Sequence, residues 1–298
     1  MKNFLAVDIG GTYIKTAVID EAGSIMKISK IKTPKSLAGL MDLIADLNQV
    51  HPGTQGIAVS CPGAVSEKGV VHGTSALPYL HGPNIKQMMA EHTGQQIFME
   101  NDANCAAYAE LWKGKAKTKH DVLVIVIGTG IGGAIIKNGE VHKGANLHGG
   151  EFGYMLIPTH SENGFDTWSD TGATGALIRK VAWLKQRKAD QLTGEEIFNL
   201  ATAGDPVCKR EVAAFYRYLA LGIYNLQYIY DPELILIGGG ISARPDLIQQ
   251  INTSISEILR RLPGSTIKPV VDTCEFRQHA NLLGAVYGLM QLEKEALH

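Results

Sequence analysis

A carboxylate, two glycines and a hydroxyl near the start of this chain have the types and spacing to handle a phosphate. Phe4-Leu5-Ala6-Val7 runs straight into Asp8, followed by Ile9-Gly10-Gly11-Thr12. A short apolar run of this kind predicts a buried strand. The paired glycines let the backbone turn tightly and come close to a ligand, because no Cβ stands in the way. N–H groups exposed in such a turn make an anion nest, and the Thr12 hydroxyl adds a donor. Asp8 would repel a bare phosphate, so a hard cation such as Mg²⁺ is expected between the two. Taken alone, the stretch also reads as a plain β-hairpin with a Gly-Gly turn, in which Asp8 is only a turn former.

A second stretch of the same design weighs against that plainer reading. Residues 122–127 are continuously apolar and lead into Gly128-Thr129-Gly130-Ile131-Gly132-Gly133, then a short strand and an Asn138-Gly139 hairpin turn. Two copies of strand, Gly/Thr turn, strand, turn, strand suggest an internal duplication with a cleft between the copies. A third glycine turn, Gly238-Gly239-Gly240, ends the apolar run at 234–237 and precedes a helix; it suits the nucleoside part of ATP. The formal match of Gly128, Gly130 and Gly133 to a dinucleotide fingerprint fails, since strand and not helix follows. No phosphate-binding P-loop is present either, because Lys15 stands where its second glycine belongs. The nucleotide-side candidates are therefore Asp8, Gly10, Gly11, Thr12, Lys15, Gly128, Thr129, Gly130, Gly238, Gly239 and Gly240, with Asp8 as the metal-side carboxylate.

The elements that must position these residues follow an α/β pattern. Strands are predicted at 13–19, 24–32, 56–60, 97–100, 134–136 and 140–142, and near 268–272. Helices are predicted at 37–50, 84–92, 103–112, 172–188, 193–203, 206–230, 245–261 and 279–294. The lysine-rich stretch 113–120 reads as a linker, which divides the chain into domains 1–116 and 117–298, with the last helix a candidate to return to the first. With 45% hydrophobic and 19% charged residues, a net charge of −1 and no long apolar run, the 298-residue chain reads as a globular protein. Neither a nucleic-acid footprint nor a membrane span is expected. Strand 1 starts almost at the N-terminus, so no signal peptide is expected and the cytoplasm is the default location. Cys61, Cys105, Cys208 and Cys274 form no C-x-x-C pair and read as small buried residues.

At this point the chain resembles the ROK sugar kinases, within the actin-like ATPase (ribonuclease H-like) superfamily. The marks are Asp8-Ile9-Gly10-Gly11-Thr12, Pro62-Gly63, Glu100-Asn101-Asp102-Ala103-Asn104, the 128–133 turn, Gly150-Glu151-Phe152-Gly153 and Gly238-Gly239-Gly240. The resemblance implies a two-domain fold with a duplicated hairpin and glycine-turn core, phosphorylation of a hexose with ATP and Mg²⁺, and a homodimer. It also implies that Asp102 is the base that takes the hydroxyl proton, and that Asn101, Asp102 and Glu151 hold the sugar. Gly63 would let the backbone lie against the sugar, and Ser75 is a further candidate on that side. A plain helix cap is the other reading of Asp102, and His148 reads as an ordinary loop histidine.

Two departures bear on the substrate. Many relatives continue Gly-Glu-x-Gly with His and a cysteine run that holds structural zinc. Here Tyr154 takes the His position and no cysteine occurs at 155–176, so no thiolate zinc site exists there. The 159–171 loop must hold itself by packing, through Phe165 and Trp168. In relatives that His and a later Glu resemble contacts to the anomeric end; here they become Tyr154 and Ser169. The anomeric side is then open to an aglycone, on which Tyr154 can stack. Together with the run 75–82, this looks most like the β-glucoside kinase branch, which phosphorylates the 6-hydroxyl of the non-reducing glucose of cellobiose. Glucose and N-acetylmannosamine are the alternatives. A DNA-binding repressor is disfavoured because only seven residues precede Asp8. A silent sugar sensor is disfavoured because it would have no need of Asp102.

Overall fold

The computed structural model describes residues 1–277 and 279–295. The chain forms two compact units. One comprises Met1–Thr118, Lys143–Gly149 and the C-terminal helix, the other Lys119–His142 and Gly150–Arg277.

In the first unit β1 (Asn3–Ile9), β2 (Tyr13–Asp20) and β3 (Ile25–Lys32) form an antiparallel meander, followed by α1 (Leu37–Val50). Then come β4 (Ile57–Cys61), a small hairpin of β5 (Ala64–Val65) and β6 (Val71–His72), α2 (Ile85–Thr93), β7 (Ile97–Asn101) and α3 (Asp102–Lys113). The sheet order is β3-β2-β1-β4-β7, with β1, β4 and β7 mutually parallel. Every residue of β4 is buried, as expected of a parallel strand covered on both faces. Edge strand β3 is largely exposed and carries Lys27, Lys30 and Lys32, which discourage pairing with another chain.

The second unit repeats the plan. β8 (Val122–Ile127), β9 (Ile131–Lys137) and β10 (Glu140–His142) form the meander, joined at Asn138-Gly139, where both residues have positive φ (54° and 80°). This is the turn geometry that Asn-Gly favours. A hairpin of β11 (Leu156–Pro158) and β12 (Phe165–Thr167) leads into α4 (Trp168–Gly172), α5 (Thr174–Leu184), α6 (Gly194–Thr202) and α7 (Pro206–Tyr230). β13 (Leu234–Gly238), α8 (Leu247–Arg261) and β14 (Val271–Thr273) complete it. The order β10-β9-β8-β13-β14 matches the first sheet strand for strand, and β8, β13 and β14 are again parallel. The final helix, α9 (Ala280–Glu295), packs on α3 and on β1, β4 and β7.

The structure differs from the sequence expectations in places. The helix expected at 172–188 is shorter, α5 over Thr174–Leu184, because Ala173 before it is extended and Gly172 already ends α4, which Thr167 caps. Within the 159–171 loop, Trp168 is fully buried, lies against Gly222 of α7 and donates its indole N–H to the Tyr218 carbonyl at 2.9 Å. Phe165 does not share that task, being 48% exposed in the small hairpin. All four cysteines are buried and unbridged. No described helix is long and apolar enough to cross a membrane.

Candidate active site

Asp8 sits near the C-terminal end of β1, level with Ser60 on parallel β4 and Lys15 on antiparallel β2. Its Oδ1 accepts from Ser60 Oγ and from Asn281 Nδ2 of α9, both at 3.0 Å, and Lys15 Nζ lies 3.8 Å from Oδ2. The carboxylate is thus oriented by two neutral donors. The following turn is clamped by Thr33, just past the end of β3: its Oγ1 donates to the Gly10 carbonyl at 2.6 Å, and its N–H donates to the Thr12 carbonyl at 3.1 Å. Gly10 is needed for space, since a Cβ there would lie 2.8 Å from the Tyr13 carbonyl oxygen. Gly11 and Thr12 are exposed. One carboxylate oriented in this way, with an exposed hydroxyl nearby, is a donor set that fits Mg²⁺, which keeps several waters and takes one or two carboxylates plus phosphate oxygens.

The junction of β7 and α3 brings several candidates together. Asn101 is the N-cap of α3: its Oδ1 accepts from Ala103 N–H at 2.9 Å and Asn104 N–H at 3.3 Å, while its Nδ2 donates to the Gly63 carbonyl at 3.0 Å. The amide oxygen is therefore fully engaged, and Asn101 has only an amide hydrogen to offer a ligand. Asp102 is the first helical residue and is exposed. Asp102 Oδ1 also accepts from Ala103 N–H, at 2.8 Å, so both side chains serve the helix start, where a helix favours negative charge. Gly63 has φ +98°, and a Cβ there would meet Val71 at 2.7 Å. Ser75 joins this group through His81, its partner at 2.8 Å, whose ring lies against Gly63.

Beneath the junction lies a pair that sequence reasoning missed. Glu100 is 1% exposed; its Oε1 accepts from Asn101 N–H at 2.7 Å and Asn104 Nδ2 at 3.1 Å, and its Oε2 meets Lys143 Nζ at 2.5 Å. Nothing in the sequence near Glu100 points to Lys143. Burial pushes the thiols of nearby Cys61 and Cys105 well above their ordinary range, with Asp102 and Glu100 adding repulsion at Cys61. Both cysteines therefore stay protonated and inert.

The remaining candidates belong to the second unit. Gly128 and Thr129 line a cavity of about 590 Å³ together with Gly240, Phe198, Glu195 and Arg244. Gly175, at the start of α5, donates its N–H to the Gly128 carbonyl at 3.0 Å. Gly130 does not line this cavity; it lies beside Ser169, whose hydroxyl accepts from Ile131 N–H at 3.0 Å. Of the third turn only Gly240 faces the cavity. Gly238 packs against Cys274, and Gly239, at φ +85°, is pressed onto the Ile127 carbonyl, where no side chain fits. Glu151 stands just after Gly150 (φ +93°) and just before Phe152, whose ring covers Gly133. Tyr154 is 73% exposed. His148 is an exposed loop residue of the first unit, its Nδ1 2.6 Å from the Asn146 carbonyl.

Two α/β units with one repeated topology and glycine turns at matching strand ends define a duplicated phosphotransferase-type scaffold. The chain belongs to the ROK family, whose model matches residues 4–291. It is similar to a beta-glucoside kinase of Listeria monocytogenes, with 38% identity over 97% of each chain. It is also similar to a ROK family protein from Streptococcus pneumoniae solved in complex with sucrose. That match has 37% identity and a TM-score of 0.88, and covers 98% of this chain and 99% of the other. A ROK family glucokinase from Streptomyces griseus, solved with glucose and AMPPNP, has a TM-score of 0.74 at 25% identity, covering 95% of this chain and 97% of that one.

Proposed function

We propose that this protein is an ATP-dependent sugar kinase that transfers the γ-phosphoryl group to the 6-hydroxyl of a glucosyl unit, with a β-glucoside such as cellobiose as the favoured substrate. The observation that carries the reading is the β7–α3 junction, where an exposed carboxylate follows an amide left with only a donor to offer. Asn101 donates to a sugar hydroxyl oxygen, and Asp102 accepts the proton of the hydroxyl that attacks the phosphorus. Gly63 and Ser75 line the sugar on the same unit, and Glu151 accepts from two adjacent hydroxyls. Gly11 and Thr12 on one unit, and Thr129 and Gly130 on the other, present N–H and hydroxyl donors to the phosphates, with Lys15 adding a positive charge, while Gly10 and Gly128 close the turns by donating to the Tyr13 and Gly130 carbonyls. Gly238, Gly239 and Gly240 shape the nucleoside side. Asp8 would hold Mg²⁺, which neutralises charge on the phosphates when bound.

Support for the β-glucoside preference comes from the 38% identity to a kinase of that name and from the exposed Tyr154, which offers a stacking face for an aglycone. A cytoplasmic homodimer completes the proposal. Trp183 and Ile229 of the second unit, 71% and 74% exposed, are apolar surface that a second copy would cover. The deciding experiment is a coupled ADP-release assay with ATP and Mg²⁺ on cellobiose, gentiobiose, glucose and N-acetylmannosamine. Preference for the two disaccharides is expected. Preference for a monosaccharide would overturn the substrate class and leave the kinase reading standing. Sugar binding without turnover would overturn the kinase reading.

A further inference from the structure

The Ser75 hydroxyl is held from two sides. His81 Nε2 lies 2.8 Å from Ser75 Oγ, and Leu77 N–H donates to the same oxygen at 3.2 Å. The other ring nitrogen, His81 Nδ1, is buried and has no hydrogen-bond partner among the described residues. That selects the tautomer. A buried N–H without an acceptor is rarer and costlier than a buried lone pair without a donor, so the proton sits on Nε2 and is given to Ser75 Oγ. Both lone pairs of the serine oxygen are then engaged, and the hydroxyl has only its own proton left to offer. Among the described residues that proton meets only the Leu77 carbonyl, at 3.5 Å, the limit of a hydrogen bond.

His81 is itself fixed in place. It bridges to Val71 of β6, and its Cε1 lies 3.2 Å from where a Gly63 Cβ would stand. Gly63 is the residue whose carbonyl takes the Asn101 amide. The Ser75–His81 pair therefore adjoins the Gly63 turn to which Asn101 is hydrogen-bonded, all within the first unit.

We propose that His81 is a positioning residue that turns Ser75 into a one-way hydrogen-bond donor to an oxygen of the sugar. This rests on Ser75 being a sugar contact, as in the function proposed above. The chemistry recognised is an oxygen that can accept: a ring or glycosidic ether oxygen, which has no proton to give, or a hydroxyl whose proton goes elsewhere. A serine free to rotate would serve donors and acceptors alike and would discriminate less.

The test is steady-state kinetics on the purified full chain with ATP and cellobiose, for S75A, H81L, H81Q and S75A/H81L, with thermal melts alongside. S75A and H81L should each raise the KM for the sugar by about tenfold, the ratio an ordinary hydrogen bond carries. The KM for ATP and kcat should move far less. The double variant should be no worse than S75A alone, because the two side chains act as one unit. H81Q, whose amide N–H replaces the Nε2–H donor, should recover most of the sugar affinity. If S75A raises the sugar KM and H81L does not, His81 has no such role while Ser75 remains a contact. A harmless S75A overturns the contact itself. Additive losses, or equal losses in the KM for ATP, would make His81 a structural prop and overturn the inference.

Discussion

Asn101 and Asp102 both accept from N–H groups of the first turn of α3, and the Asp102 carboxylate is also at the surface, where the proposed general base has to be. Replacing Asp102 with Asn should lower kcat by about 10²–10⁴-fold, the usual contribution of such a base. Sugar affinity, read by calorimetry, should stay close to that of the parent; surviving turnover would remove Asp102 from the base role. A second carboxylate has a purely structural assignment. Asp205 caps α7, accepting from Cys208 N–H at 2.9 Å and pairing with Lys185 Nζ at 2.5 Å. The Cys208 N–H, followed by Lys185, lowers its pKa from 3.8 to about 2. A carboxyl whose folded pKa is depressed stabilises above its unfolded value and loses that contribution as pH falls through the folded one. Melting temperatures should therefore carry an acid limb from Asp205 between pH about 4 and about 2. D205N should flatten that part of the limb; an unchanged limb would mean that other groups produce it.

The strand–helix junctions carry the candidate chemistry, and β7–α3 rests on a buried carboxylate paired with a lysine. Glu100 supports the Asn101 N–H and Asn104 from below, and its other oxygen is matched by Lys143. Removing one partner of such a pair leaves a charge buried and typically costs about 3–5 kcal/mol. K143M should fall at the low end of that range, since the Lys143 side chain is 25% exposed. K143M/E100Q should regain much of the loss in urea denaturation. An unaltered K143M would show that Glu100 needs no counter-charge. Most elements around these junctions were legible before folding. The apolar spacing at 37–50 and 206–230, the Asn84 cap and the Asn-Gly turn are local signals, and α1, α7, α2 and the β9–β10 hairpin follow them. Where expectation and structure part, a non-local or competing local term prevails. The extended Ala173 delays the helix expected at 172–188 to Thr174, and Trp168 rather than Phe165 finds a place in the core, against Gly222.

Duplication shapes the chain as a whole, and α9 is the element that departs from chain order. It is last in sequence yet packs on the first unit, with Gly284 pressed against the Cys105 carbonyl of α3 and Tyr287 stacked on Trp112 at 5.7 Å. A chain ending at Arg277 should lose amide protection in β1, β4 and β7 by hydrogen exchange, while β8 and β13 retain theirs. Equal protection in both sheets would show that the first unit stands without α9. The sequence by itself determined the two glycine-turn meanders, their order, the third turn before α8 and the run that carries Asn101 and Asp102. Those features depend on periodicity, turn chemistry and residue type within a few neighbours. Only the tertiary structure decided that Asn281 reaches Asp8 across 273 positions, that Lys143 lies on Glu100, that His81 holds Ser75 and that Gly240 alone of its turn faces the cavity. Each of these is a contact between segments far apart or on different elements, and its energy depends on packing and burial that no local pattern encodes.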